Sequence, residues 1–435
     1  MKNKKQNIFI LIYYAILVLI MMLRKDATSE PSMVLRLAFM AAVVFPAVLF
    51  RNVNYPAVIT LFYTLASNGF AYSYMPYTYS IYVGVTLALV LFFYKIKIEN
   101  LSNIPKFLVF FTFYILVVDL ITSVNNADAN VFQNIFYNFF SIILFLIIIA
   151  KNKENTLTQL PLSFAVITII LSYLFLVNRN QFITDYGGGL ERSGWTDPNY
   201  FGTIIGMGTT ISMIKLFSKE WKNLNIGLKL VYITAIAISL PTLLLNASRG
   251  AMLSVVCAFV FLSMFSKIKL WQKIGIVLVG LVGVLYLYNN QYFDLLLYRI
   301  ENDSGGGSGR TEIWETKLES FSQGNMFQII FGNGFYGGAT ITGRLIGFHN
   351  DFVGFLVDYG IVGLCMLLYM LYYPIKLVPK NSKTKIVIIV SIVYLATCFL
   401  TLEPFLTGML PYFSFYLYAF LLAKNEKNNQ IKFIS

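Results

Sequence analysis

The sequence predicts an all-α, polytopic integral membrane protein, and three observations lead to this fold class. Of the 435 residues, 57% are hydrophobic and only 12% are charged, about half the charged fraction of an ordinary soluble domain. Apolar runs of about 17 to 20 residues recur along nearly the whole chain, and each is long enough to cross a bilayer as a helix. Lysine-rich segments separate these runs at alternate positions. Helices are expected because lipid offers backbone groups no hydrogen-bond partner.

The apolar runs divide into about fourteen predicted transmembrane helices. They cover residues 7–23, 33–50, 55–70, 78–94, 107–124, 132–150, 158–177, 198–217, 227–245, 248–266, 272–288, 351–373, 384–402 and 405–423. The first follows the basic MKNKK and lacks a small-residue cleavage site, so we interpret it as a retained helix rather than a signal peptide. The chain 1–435 is then one transmembrane domain, with a large extracytoplasmic loop, 289–350, inserted between spans 11 and 12.

The lysines predict the orientation of these helices. If the amino terminus is cytoplasmic, the strongly basic loops fall inside, as the positive-inside rule requires. These loops are 95–106, 151–155, 218–225, 267–273 and 376–385, with the tail 424–432. Both termini are therefore predicted to be cytoplasmic and the loop 289–350 extracytoplasmic. Membrane topology also accounts for the net charge of +13, so the charge does not indicate a nucleic-acid partner.

The arginines are distributed differently from the lysines. All lysines except Lys25 and Lys317 fall on the predicted cytoplasmic side, whereas all arginines except Arg51 fall at or near the outer side. A guanidinium binds phosphate or carboxylate through two donors at once, which an ammonium does not do. The pattern predicts that the outer face binds an anionic group; codon bias and chance are the alternative explanation.

Three of these arginines lie near predicted helix starts, where the helix dipole and the unbonded N–H groups favour anions. Arg192 precedes a helix that begins at Asp197 and Pro198, a typical N-cap and first residue. Arg249 lies in the first turn after Ser248, a second predicted N-cap. Arg310 immediately precedes the helix TEIWETKLESFSQG, 311–324.

The helix 311–324 is predicted to be amphipathic and to rest on the membrane or on the helix bundle. The residues predicted to share its apolar face are Ile313, Trp314, Leu318 and Phe321.

The one histidine of the chain, His349, comes directly before the apolar run that begins at Asp351. A histidine at a membrane edge serves packing in many proteins, but imidazole is also suited to general-base chemistry at neutral pH. Asp358, two turns into the same run, needs a partner because a carboxylate is costly in lipid. The sequence leaves open whether it orients the site or pairs with an arginine. Glu301 and Asp303 are interpreted as a solvated loop edge rather than a metal site.

Around His349 the sequence resembles the signature of the O-antigen ligase and polymerase superfamily. The matching residues are His349, Asn350, Leu356, Asp358, Gly360 and Gly363. The resemblance continues back through FGNGF (331–335), Gly309 and Arg310 with Trp314, ASRGA (247–251), and Arg192 with Asp197, Pro198 and Asn199. It covers roughly residues 185–370. An aspartate at 358, where the family often has glutamate, and the larger number of predicted spans depart from the family pattern.

The resemblance implies a glycosyltransferase of the bacterial cytoplasmic membrane that polymerises oligosaccharide repeats linked to undecaprenyl diphosphate. The product is a surface polysaccharide such as O-antigen, capsule or exopolysaccharide. His349 is the expected general base, and Arg192, Arg249 and Arg310 are the expected diphosphate ligands. The expected supporting residues are Asp197, Asn199, Trp314, Asn350 and Asp358. No metal or other cofactor is expected, and the expected partners are membrane lipid and the flippase and chain-length regulator of the pathway.

Two other functions stay open at this stage. A ligase of the same superfamily would transfer the finished glycan to a different acceptor. A polysaccharide-lipid transporter or flippase would also be basic inside and span the membrane many times, but charged or broken helices in paired halves are expected of it. The sequence shows no internal repeat, and no loop is large enough for the output domain of a membrane sensor.

Overall fold

The computed structural model describes residues 34, 104–123, 154–177, 183–185, 191–193, 198–266, 269–301, 310–334, 348–379, 382, 384–402 and 410–434. These residues are almost entirely helical. The helices are α1 Lys106–Ser123, α2 Glu154–Val177, α3 Pro198–Phe217, α4 Ile226–Asn246, α5 Arg249–Phe265, α6 Leu270–Asn289, α7 Asp294–Glu301, α8 Arg310–Ser322, α9 Met326–Phe331, α10 Asp351–Leu377, α11 Lys385–Thr401 and α12 Leu410–Ile434. A short 3-10 helix, Lys219–Asn223, joins α3 to α4.

The predicted spans within the described residues correspond to helices α1 to α6 and α10 to α12. Among the described residues, four helices are long and apolar enough to cross a membrane, namely α2 (over Leu160–Val177), α3, α4 and α10. Three shorter apolar helices lie in α5, α6 and α11. The predicted spans 7–23, 33–50, 55–70, 78–94 and 132–150 lie outside the described residues, apart from residue 34. The total of fourteen therefore stays a prediction.

Helix α3 is the centre of the bundle and is buried on nearly all sides. It packs against α2, α4, α5 and α11, so an apolar surface all round the helix is needed rather than a single stripe. Glycines permit the closest approaches, because a Cβ at Gly206 would overlap Tyr394 and one at Gly208 would overlap Thr168. Helix α11 packs in addition against α5, α10 and α12.

Helix α10 is broken at Gly360, a feature that the sequence did not predict. The backbone of Gly360 has φ 68° and ψ −172°, a left-handed conformation that favours glycine. The break admits the end of α9, because a Cβ at Gly360 would overlap the Ile330 carbonyl, and one at Gly332 would overlap the Asp358 carbonyl. The FGNG segment and the middle of α10 therefore meet backbone to backbone.

The carbonyl groups exposed by this break accept hydrogen bonds from outside the helix. The Val357 carbonyl accepts a hydrogen bond from the Asn333 N–H at 3.2 Å, and the Asp358 carbonyl accepts one from the Gly334 N–H at 2.7 Å. The Tyr359 carbonyl lies 2.6 Å from the hydroxyl of Tyr114 on α1, and this hydroxyl also lies 3.0 Å from the Phe331 carbonyl. The break is thus filled by protein, and buried polar groups of this kind are stable only when they are paired.

The predicted loop 289–350 contains three helices in its described part. The amphipathic helix predicted at 311–324 is α8, which packs against α10. Helix α7 packs on the turn between α4 and α5 through Leu296, Leu244 and Ala247. Residues 302–309 and 335–347 lie outside the described residues. The three-residue strands β1 Ile183–Asp185 and β2 Glu191–Ser193 pair antiparallel and add a small ribbon to the predicted helices.

Candidate functional site

Several helix ends meet at one end of the bundle, and we call this region the rim. It consists of Pro198–Asn199, Asn246–Gly250, Arg310, Phe348–Asp351 and Thr401–Leu402. The side-chain amide of Asn246 donates to the Pro198 carbonyl at 2.6 Å, which joins the start of α3 to the end of α4. Since α3, α5 and α10 begin at the rim and α4 and α11 end there, the chain alternates in direction as the predicted topology requires.

His349 lies at the rim in a strained backbone conformation. Its φ is 50°, in the left-handed region, which costs a non-glycine residue about 1 to 2 kcal/mol. The side chain is partly buried. The residue before it, Phe348, is fully buried, and its carbonyl accepts a hydrogen bond of 2.7 Å from the indole N–H of Trp314 on α8. Trp314 is therefore hydrogen-bonded to the residue directly before His349.

Asn350 is the N-cap of α10. Its side-chain oxygen accepts from the N–H groups of Phe352 and Val353 at 2.9 and 3.2 Å, which satisfies two of the donors that every helix start leaves unbonded. The Asp351 N–H donates to the Leu402 carbonyl at 3.0 Å. These three N–H groups of α10 are therefore occupied by protein. Asn350 supports the site by holding this helix start in place.

Arg310 is the first residue of α8 and reaches the end of α11. One of its terminal nitrogens, Nη1, donates to the Thr401 carbonyl at 2.8 Å. A cation is favourable there because the dipole and the exposed carbonyls make the carboxyl end of a helix negative. Arg310 thus has a structural contact in addition to its predicted role toward an anion.

Arg249 is the first residue of α5 and lies on the same rim. The adjacent Gly250 packs so tightly on Thr401 that an added Cβ would lie 2.7 Å from the Thr401 Cβ. Thr401 therefore links the start of α5 to Arg310. Ser248 occupies the predicted N-cap position, but its side chain makes no cap hydrogen bond. Its hydroxyl donates instead to the Asn199 side-chain oxygen at 3.2 Å, which places Asn199 beside the start of α5.

The remaining predicted site residues do not all reach the rim. Arg192 lies on β2, opposite Thr184, and the ribbon contacts α4. Asp197 lies outside the described residues. Asp358 is buried and lies seven residues after Asp351, about 10 Å deeper along the helix at 1.5 Å per residue.

The surroundings of Asp358 form a second buried polar region, at the break in α10. The Tyr359 hydroxyl donates to the carboxylate of Asp119 on α1 at 3.3 Å, and both residues are buried. The position of Asp358 favours a structural role at the break over direct participation at the rim. Among the described residues, no group of three histidine, cysteine or acidic side chains is arranged to hold a metal ion.

Sequence reasoning did not identify Lys317 as a site residue. It placed Leu318 on an apolar face that rests on the membrane or on the helix bundle, whereas the structure leaves Leu318 exposed and buries Lys317. The inner face follows Arg310, Trp314, Lys317 and Phe321, at the three- and four-residue spacing of a helix face. A signal was present, because Lys317 is one of two lysines that depart from the cytoplasmic distribution.

Comparison with known proteins supports the resemblance over part of the chain. Residues 234–368 match a family model described as O-antigen ligase. The match includes Arg249, Arg310 and His349, but not Arg192 or the DPN segment at 197–199. No curated protein matches the chain significantly.

Proposed function

We propose, from the match of residues 234–368 to the O-antigen ligase family, that this membrane protein is a glycosyltransferase with a lipid-diphosphate-linked sugar donor. It polymerises oligosaccharide repeats carried on undecaprenyl diphosphate, on the outer face of the bacterial cytoplasmic membrane. The observation that carries the proposal is the meeting of His349, Arg249 and Arg310 at one rim, through Thr401–Leu402.

The arginines bind the leaving group in this proposal. When the acceptor oxygen attacks the anomeric carbon of the donor sugar, the bond from that carbon to the diphosphate oxygen breaks. Negative charge then grows on the diphosphate, and stabilising such charge is commonly the largest catalytic term. Arg249 and Arg310 supply fixed cations at the starts of α5 and α8, whose dipoles also favour an anion. Arg192 is the third ligand in this proposal.

His349 removes the proton of the acceptor hydroxyl. The imidazole accepts the proton as the new glycosidic bond forms, and it releases the proton to solvent after transfer. The positive end of the α10 dipole disfavours the imidazolium at this position. A neutral ring at this position accepts the proton, as a general base must.

The acceptor decides between the two members of the superfamily. A polymerase transfers to another lipid-linked repeat, whereas a ligase transfers the finished glycan to a different acceptor. We favour the polymerase because the sequence contains no segment that marks a particular ligase acceptor. A deletion strain with single-repeat products would support the polymerase. Full-length chains left on undecaprenyl diphosphate would support the ligase.

The break in α10 is a feature that a transporter or flippase would share. Discontinuous helices in transporters leave backbone groups free to bind substrate or ions. Here the carbonyls of Val357–Tyr359 accept hydrogen bonds from Asn333, Gly334 and Tyr114, so they are used within the protein. This difference favours the enzyme.

The variant His349→Gln tests the proposed function with purified protein and a lipid-linked donor. Glutamine retains hydrogen bonding and approximate size but does not act as a base at neutral pH. Its transfer rate should fall about a hundred- to ten-thousandfold, the usual effect of losing a general base, while donor binding and the unfolding temperature stay near wild type. A wild-type rate would make the histidine structural, and the base would then be sought at Asp351 and Asp358.

A further inference from the structure

The buried lysine of α8 has a specific relation to His349. Only 3% of the Lys317 surface is exposed, and its ammonium lies 3.9 Å from the ring centroid of Phe348, within the range of a cation–π interaction. Burying an ammonium is costly unless its surroundings compensate the charge. Apolar packing alone does not account for a lysine at this position, because methionine has a similar length and carries no charge to bury.

Helix α8 holds both the backbone and the side chain of the residue that precedes His349. Trp314 donates to the Phe348 carbonyl, and Lys317, three residues further along α8, covers the Phe348 ring. Asn350 is held on the other side of His349 as the cap of α10. A strained residue such as His349 keeps its conformation only when its neighbours are fixed.

We propose that Lys317 is a positioning residue for His349. By holding the Phe348 ring, it keeps the 348–349 peptide and the imidazole in the orientation from which the acceptor hydroxyl is deprotonated. This inference rests on the proposed function of His349.

Helix α8 carries residues for both parts of the proposed reaction, the binding of the diphosphate and the deprotonation of the acceptor hydroxyl. Arg310 begins α8, and Lys317 lies seven residues later on the same face, about 10 Å along the axis. Because a helix is rigid over two turns, α8 sets the distance between the guanidinium assigned to the diphosphate and the contacts that hold the base. A base displaced by about 1 Å loses about a hundredfold in rate.

The test compares Lys317→Met, Lys317→Arg and the control Lys229→Met. Methionine has a similar length and removes the charge, so the cation–π contact with the Phe348 ring is lost. Arginine retains the cation over the ring. Lys229 also lies over an aromatic ring, 5.8 Å from the centroid of Trp221, at the end of the bundle opposite the rim.

Two readouts are used, because one of them does not depend on activity. Since the chain has a single histidine, protein labelled with histidine that carries 15N only at Nε2 gives one imidazole signal in NMR. Lys317→Met is expected to shift and broaden that signal, and to lower kcat about a hundredfold with little change in KM for the lipid-linked donor. Lys317→Arg is expected to restore both in part, and Lys229→Met to change neither.

The outcomes separate this inference from the proposed function. A wild-type signal and kcat in folded Lys317→Met would overturn the positioning role, whatever His349→Gln shows. A shifted signal together with a fully active His349→Gln would support the positioning contact and overturn the general base. If Lys317→Met does not fold, Lys317→Gln removes the charge and keeps a polar side chain at this position. A shifted or broadened imidazole signal in folded Lys317→Gln supports the inference, and an unchanged signal overturns it.

Discussion

The starts of α5 and α10 lie on the same rim but are built differently. At α10, Asn350 caps two N–H groups, a third is bonded to Leu402, and the helix is interrupted after nine residues at Gly360. Helix α5 runs without a break from Arg249 to Phe265, and the Ser248 side chain does not cap it. The start of α10 is capped by a side chain, whereas the start of α5 presents an arginine without a side-chain cap.

This difference corresponds to the two tasks in the proposed reaction. A general base must be held within hydrogen-bond reach of one proton, which requires a fixed backbone such as that around His349. An anion site needs positive charge and helix-start donors, and a side-chain cap at Ser248 would occupy such donors. In the proposed reaction, α10 positions a group whereas α5 provides charge.

The largest effect is expected from Gly360→Ala, which attacks the break in α10. Overpacking costs about 1 to 3 kcal/mol, and left-handed backbone costs about 1 to 2 kcal/mol for alanine. Gly360→Ala should therefore destabilise the protein by about 2 to 5 kcal/mol, measured by unfolding in detergent. The control is Gly280→Ala on α6, where an added Cβ meets nothing within 4 Å. Equal stability of the two variants would contradict the account of the break.

An intermediate effect is expected from Arg249→Lys, which tests the anion site at α5. An ammonium keeps the charge but lacks the planar fork, and loss of one charge-assisted contact costs about 1.5 to 3 kcal/mol. kcat/KM should fall about ten- to a hundredfold without a change in unfolding temperature. Arg310→Lys should impair transfer similarly. Arg299→Lys, within α7 rather than at a helix start, is the control. Normal turnover of the Arg249 and Arg310 variants would remove these arginines from the site.

The smallest effect is expected from Asn350→Ala, which removes the cap of α10. Loss of a side-chain cap costs about 1 kcal/mol. Ser248→Ala is the matched variant at α5 and should cost less, about 0.5 kcal/mol, since it removes one ordinary hydrogen bond and no cap. Asn350→Asp should retain stability because aspartate also caps helices. Chemical denaturation of the purified variants measures all three. A larger loss for Ser248→Ala would reverse the comparison.

The helix positions were the most predictable part of the structure. Helix α3 coincides with the predicted span 198–217, and α4 and α5 differ from their predictions by one residue at each end. The helix ends can be predicted because they depend on local sequence: the apolar run and the polar residues that end it are neighbours in the chain. The break at Gly360 was missed because an isolated glycine within an apolar run is compatible with a continuous helix. The break is favourable because the backbone of α9 packs against Gly360, and this contact is made only in the tertiary structure.

The sequence by itself determined that the protein is helical and membrane-embedded, and that His349, Arg249 and Arg310 stand at helix starts. Periodicity, hydropathy and caps depend on neighbouring residues, so they can be read along the chain. Only the tertiary structure decided that Arg310 binds the carbonyl of Thr401, 91 residues away, and that Lys317 rather than Leu318 faces inward to cover Phe348. A residue's partner across such distances depends on how helices pack, because packing decides which side of a helix is covered.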